Sequence, residues 1–250
     1  MPNQPIIGIV AKPNFIAARH GAPQFGIVDD WRRAIVRAGG IPIGILPTEF
    51  GDEEQKNLED SNADYHISNK ALGGGLLKQI QLCPGIVLMG GLTFHSYEVD
   101  VARFCLENNI PVIGSCAGFN VLVTAAGGKV RQGTRAEKRL HDRSRRELYA
   151  HDITIMPSTK LYEIFGTERA KVNSRHWMMA DVANIPKTLK ISAESDDGLI
   201  EAVELPSHKF AIGVKWHPES MTGYDAGAKE LIEQFVKASI ENDLAKPTNL

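Results

Sequence analysis

Cysteine is scarce in this chain: Cys83, Cys105 and Cys116 are the three among 250 residues. So sparse and odd a set excludes a disulfide framework, and with no Cys-x-x-Cys pair there is no zinc finger or ribbon. Long apolar runs are also missing. The longest are strand-sized, far short of the ~20 residues that a membrane span needs. Nor is there an excess of charge of one sign. Lys and Arg number 28 against 30 Asp and Glu, a formal net charge of -2, so no global field favours nucleic acid or an anionic membrane. Met1 to Pro5 holds no basic segment leading into an apolar one, so no signal peptide is expected and a reducing cytoplasm is the expected home. What is present is an ordinary globular composition, 43% hydrophobic and 23% charged. Without internal repeats or linkers rich in Pro, Gly or Ser, residues 1–250 are expected to form a single domain.

The first half alternates strand and helix patterns. Ile6 to Val10, Ile41 to Leu46, Ile86 to Met89 and Pro111 to Gly114 are apolar strands. Val28 to Ala38, Glu98 to Asn109 and Ala117 to Ala126 carry helical spacing, two of them stopped by Gly-Gly. Strands without polar alternation, separated by helices, predict a mostly parallel sheet covered on both faces. In the second half the strands crowd together, at Ile153 to Met156, Ala170 to Val172, Leu189 to Ala193, Leu199 to Glu204 and Phe210 to Lys215. Only Lys160 to Phe165 offers a short helix between them, so an antiparallel section is expected there. Gly227 to Asn242 closes the chain as an amphipathic helix.

Two stretches show no clear periodicity and are expected to be weakly structured. Thr48 to Gln81 is polar. Lys129 to Arg146 holds eight Lys or Arg and two acids, Glu137 and Asp142. Such a run reads as a solvated surface or as a loop that draws a carboxylate-bearing substrate. It lacks the interleaved aromatics that stack bases, which disfavours nucleic acid.

Chemistry concentrates at two places. Ile110-Pro-Val-Ile-Gly-Ser-Cys-Ala-Gly-Phe-Asn120 runs a strand through a Gly-x-Cys-x-Gly turn into a helix. Gly114 and Gly118 supply the room that a sharp strand-to-helix turn needs around its nucleophile. The helix N-terminus favours the Cys116 thiolate, and the Ala117 amide points where an oxyanion would form. Gly213-Val-Lys-Trp-His-Pro-Glu219 ends a strand in a histidine with an acid two residues on. His217 can exchange protons with a neighbouring thiol, and Glu219 can fix its tautomer. Cys105, on the apolar side of a helix, and Cys83, before Pro84, are expected to be structural.

These residues resemble the class I glutamine amidotransferase family and, within it, the gamma-glutamyl-gamma-aminobutyrate hydrolase (peptidase C26-like) branch. Further stretches carry the resemblance: Pro5-Ile-Ile-Gly-Ile9, Ala34 to Pro42 followed by Leu46-Pro47, Val172-Asn-Ser174 with His176, and Asp197-Gly-Leu-Ile-Glu-Ala202. The resemblance implies an α/β fold, a flavodoxin-like three-layer sandwich with a central mostly parallel sheet and an added antiparallel section in the C-terminal half. It implies a Cys116-His217-Glu219 triad, with Gly91 joining Ala117 in the oxyanion hole. It also implies substrate contacts from Gly90, Asn120, Asn173, Ser174 and His176.

The pattern also departs from the family. Asn120 stands where Gln is usual, Ala117 where Arg is common, Leu92-Thr93-Phe94-His95 after Gly91, and Arg175-His176-Trp177 for His-His-Gln. The expected activity is hydrolysis of a gamma-glutamyl or other small amide, without metal or organic cofactor. Two alternatives are a glutaminase subunit feeding ammonia to a separate synthase and a non-catalytic binding protein on the same scaffold. Neither nucleic acid nor membrane is an expected partner, and a homodimer is left open.

Overall fold

The computed structural model describes residues 4–13, 24–48, 73–144 and 147–245. Its strands are β1 (Ile6–Val10), β2 (Lys12–Pro13), β3 (Phe25–Gly26), β4 (Ile41–Ile45), β5 (Gly85–Leu88), β6 (Val112–Ser115), β7 (Val130–Gln132), β8 (His151–Ile155), β9 (Arg169–Val172), β10 (Met178–Ala180), β11 (Lys190–Ser195), β12 (Ile200–Glu204) and β13 (Ala211–Val214). The α-helices are α1 (Asp29–Arg37), α2 (Gly74–Gln81), α3 (Ser96–Glu107), α4 (Ala117–Ala125), α5 (Arg135–His141), α6 (Lys160–Phe165) and α7 (Ala226–Leu244).

A nine-stranded sheet runs in the order β4-β1-β5-β6-β13-β12-β11-β8-β9. The pairs from β4 through β13 are parallel; those from β13 to β9 are antiparallel. The predicted architecture is therefore observed, antiparallel section included. Period two explains why the parallel strands are apolar throughout. Ile7, Ile9, Val87 and Ile113 face α1, α6 and α7, whereas Val10, Ile86, Leu88 and Val112 face α2, α3 and α4. Cys83 and Cys105 are thiols buried in this second layer, neither of them in a disulfide. Among the described residues no helix is long and apolar enough to cross a membrane.

The two stretches expected to be weakly structured are partly corrected. Gly74–Gln81 is helical, and residues 49–72 lie outside the described residues. Much of the basic stretch is ordered as β7 and α5. Thr134 caps α5 and Glu137 returns the bond in a capping box. Glu137 also accepts from both terminal nitrogens of Arg131, at 3.0 and 2.7 Å. The charge density masked a short capped helix; Arg145 and Arg146 lie outside the described residues.

Candidate active site

Two neighbouring parallel strands carry the chemistry to one sheet edge. β6 and β13 pair in register, Val214 opposite Ser115, so Cys116 and the Lys215–Glu219 segment emerge side by side. Cys116 adopts φ 53 and ψ -105, a strained conformation at the turn between β6 and α4. Its amide donates to Val214 O at 2.9 Å. The flanking glycines are required by contact: a Cβ on Gly114 would lie 2.5 Å from Gly118 O, and one on Gly118 would lie 1.9 Å from Leu88 O.

His217 Nδ1 is 2.8 Å from Glu219 Oε1, and both side chains are largely buried. Burial disfavours the imidazolium, but the Glu219 carboxylate and Cys116 outweigh it and hold His217 at about 9. Burial also pushes the Cys116 thiol up. The charge and hydrogen bond of His217, and then the Lys215 ammonium, bring it down to about 7. The order of proton affinities is thus inverted relative to free thiol and imidazole. Between these values the pair favours thiolate and imidazolium.

The pocket over Cys116 is lined by Gly91, Leu92, Thr93, Phe94, Ala117, Asn120, His176, Trp177, Met178 and Lys215. It is tight, a cavity of about 10 Å³, about one water molecule's worth. Asn120 lies one helical turn beyond Cys116, on the same face of α4. Its Oδ1 accepts from the fully buried Lys215 Nζ at 3.0 Å. The long lysine thus reaches the shortened amide. Lys215 escaped the sequence reading, although its signal was visible: a lysine two residues before His217, just past an apolar strand. Another buried cation stands behind Gly91, where Lys12 Nζ sits 2.7 Å from Glu98 and donates to Thr93 O.

Not every residue carried over by resemblance lies in the pocket. Asn173 brackets the backbone of His217, accepting from its N–H at 2.9 Å and donating to its C=O at 3.1 Å. Ser174 donates to His141 O. Neither is among the pocket-lining residues. Gly90 makes room for His217: a Cβ there would lie 2.7 Å from His217 Cε1. The Arg175 carbonyl lies 3.7 Å from Cys116 Sγ, a contact with no sequence signal.

Behind the pocket wall, the ring nitrogens of His141, His151 and His176 converge with the Glu201 carboxylate, with one ligand atom from each within 4.8 Å of all the others. No metal centre was expected from the sequence. These four side chains are the described residues best able to hold one.

A family model described as Peptidase C26 matches residues 92–219, just over half of the chain. The gamma-glutamyl-gamma-aminobutyrate hydrolase of Shigella flexneri is 29% identical over 252 residues, covering 94% of each chain. The CTP synthase of Chlamydia muridarum is 25% identical over 197 residues, 68% of this chain and 37% of that one. Among solved structures, the Trypanosoma brucei CTPS glutaminase domain with bound acivicin superposes with a TM-score of 0.62 at 19% identity, covering 95% and 94% of the two chains. Glutamine amido transferase from Methylobacillus flagellatus gives 0.57 at 13% identity over 96% and 95%.

Proposed function

Since the chain belongs to the Peptidase C26 family and is a hydrolase or amidotransferase-like enzyme, we propose that it hydrolyses a gamma-glutamyl amide, or a related small amide, through an acyl-enzyme on Cys116. The observation that carries this reading is the line Cys116–His217–Glu219 at a strained elbow, with the thiol brought to about 7 and the imidazole to about 9. The Cys116 thiolate attacks the amide carbonyl, and the carbonyl electron pair moves onto oxygen. The amides of Ala117 and Gly91, which line the pocket beside the sulfur, hold that oxyanion. Its collapse breaks the C–N bond as His217 gives its proton to the departing amine. Neutral His217 then takes a proton from water, whose oxygen attacks the thioester. The acid leaves and the ion pair is restored, so the sum is amide plus water to acid plus amine. The gamma-glutamyl specificity is taken from the relatives, and the rewritten pocket wall at Leu92, Phe94 and Trp177 sets which amine leaves.

The test is a panel of gamma-glutamyl amides, glutamine included, assayed for released glutamate with the parent and Cys116→Ala. Turnover that survives unchanged in the variant overturns the reading. The similarity to a CTP synthase favours a second reading, a glutaminase supplying ammonia to a separate synthase. Glutaminase activity that appears only with a co-purifying partner would select it. A binding protein on this scaffold would show Cys116 reacting with iodoacetamide no faster than a free model thiol.

A further inference from the structure

We propose that His141, His151, His176 and Glu201 form a closed four-ligand site for a divalent transition-metal ion, with Zn²⁺ the best match. Four separate places in the chain supply the ligands: the end of α5, the start of β8, the segment between β9 and β10, and the start of β12.

The spacing fits. A tetrahedral ion with bonds of about 2.0–2.1 Å has ligand–ligand edges of about 3.3–3.4 Å. Glu201 Oε1 stands 3.3 Å from His141 Nδ1, 3.3 Å from His176 Nε2 and 3.9 Å from His151 Nε2. Three imidazoles and one carboxylate are a ligand set that suits zinc.

The hydrogen bonding points the same way. His141 Nε2 lies 3.1 Å from the Asp197 carboxylate, and His151 Nδ1 lies 3.1 Å from Asp152 O. Both outer partners are acceptors, so the outer nitrogens carry the protons. In the neutral rings this leaves lone pairs on His141 Nδ1 and His151 Nε2, both aimed at another acceptor, Glu201. Imidazoles oriented by outer carboxylate or carbonyl groups are what metal-ligating histidines show. On the inside, His141 Nδ1, His151 Nε2, both nitrogens of His176 and both Glu201 oxygens are buried without a hydrogen-bond partner. Residues His141, His176 and Glu201 are each at most 2% exposed. Lys215 could have answered the carboxylate but donates to Asn120 instead. A neutral His176 carries one N–H and can answer Glu201 from Nε2 at 3.3 Å, but lone pairs on His141 Nδ1 and His151 Nε2 still face the carboxylate. Burying polar groups unpaired is costly, and one cation among the four would answer them together.

The ion would stitch α5 and the His176 segment onto the sheet. The carbonyl of Arg175, next to His176, touches Cys116 Sγ, and Trp177 lines the pocket. The site therefore acts as a positioning device for the pocket wall.

The experiment uses tag-free full-length protein, loaded with Zn²⁺ or Co²⁺ and gel-filtered to remove loose metal. We expect about one Zn²⁺ per chain by mass spectrometry of the metal, the strong visible bands of tetrahedral Co²⁺, and a melting temperature that falls by several degrees when EDTA strips the ion. His151→Gln, at the most exposed of the four ligands, should lose the stoichiometry and the bands. Its far-UV circular dichroism reports folding, and the Co²⁺ spectrum of the parent tests the site even if the variant misfolds. Substoichiometric metal with no Co²⁺ bands in the parent would overturn the proposal and leave a cluster held by protons. Equal metal in parent and folded His151→Gln would overturn it too, by placing the metal elsewhere.

Discussion

Gly118→Ala tests whether the nucleophile elbow depends on backbone contact. The added Cβ would lie 1.9 Å from Leu88 O and 2.7 Å from Leu88 C. Ordinary carbon–oxygen contact is about 3.3 Å, so α4 and β5 would have to part by about 1.4 Å. The obstacle is main chain of a central strand, and no side-chain rotation relieves it. Overpacking a well-packed interior costs about 1–3 kcal/mol, occasionally more, and this contact belongs at the upper end, about 3 kcal/mol. For a chain of this length each kcal/mol moves the melting temperature by about 2–4 °C, which gives a fall of about 6–12 °C. Cys116, two residues earlier, should lose its setting, so iodoacetamide labelling at neutral pH should slow in the fraction that stays folded. Gly74→Ala is the control. A Cβ there meets nothing within 4 Å, and replacing glycine in a helix is neutral to favourable by about 1 kcal/mol. The assay is calorimetry with labelling on all three proteins. If Gly118→Ala melts within ~2 °C of the parent and labels at the same rate, the close-contact reasoning is wrong.

The pH profile of turnover should be bell-shaped, rising through about 7 as Cys116 ionises and falling through about 9 as His217 loses its proton. In Glu219→Gln the falling limb should move to lower pH, because the carboxylate is what holds the imidazolium; a limb that stays in place would refute that role. Lys215→Met should move the labelling midpoint of Cys116 upward, since the ammonium lowers the thiol; an unmoved midpoint would remove Lys215 from the site's electrostatics. Asn173→Ala should lower kcat with little change in KM, because it frees both backbone bonds at His217; each such bond is worth about 1 kcal/mol. A rise in KM alone would return Asn173 to substrate binding.

The elbow and the strand-end histidine were legible because they are local. Gly114, Cys116 and Gly118 sit within five residues, and His217 and Glu219 within three. The sheet was legible for the same reason, as apolar strands punctuated by Gly and Pro. What escaped is what only the tertiary fold creates. Nothing local in the sequence says that Asn173, just past the end of β9, bonds the His217 backbone. The Arg175 carbonyl has no side-chain signature. His141, His151, His176 and Glu201 lie 60 residues apart from first to last, and no short ligand spacing announces them. α5 was hidden because its charges obscure periodicity, although Thr134 and Glu137 spell a capping box.

The most direct measurement is to trap the acyl-enzyme. The parent, mixed with a slowly turned-over gamma-glutamyl amide and quenched in acid, should carry the glutamyl mass on the peptide that contains Cys116, and Cys116→Ala should carry none. Hydrolysis that proceeds without any adduct on Cys116, or at the parental rate in Cys116→Ala, would contradict the account.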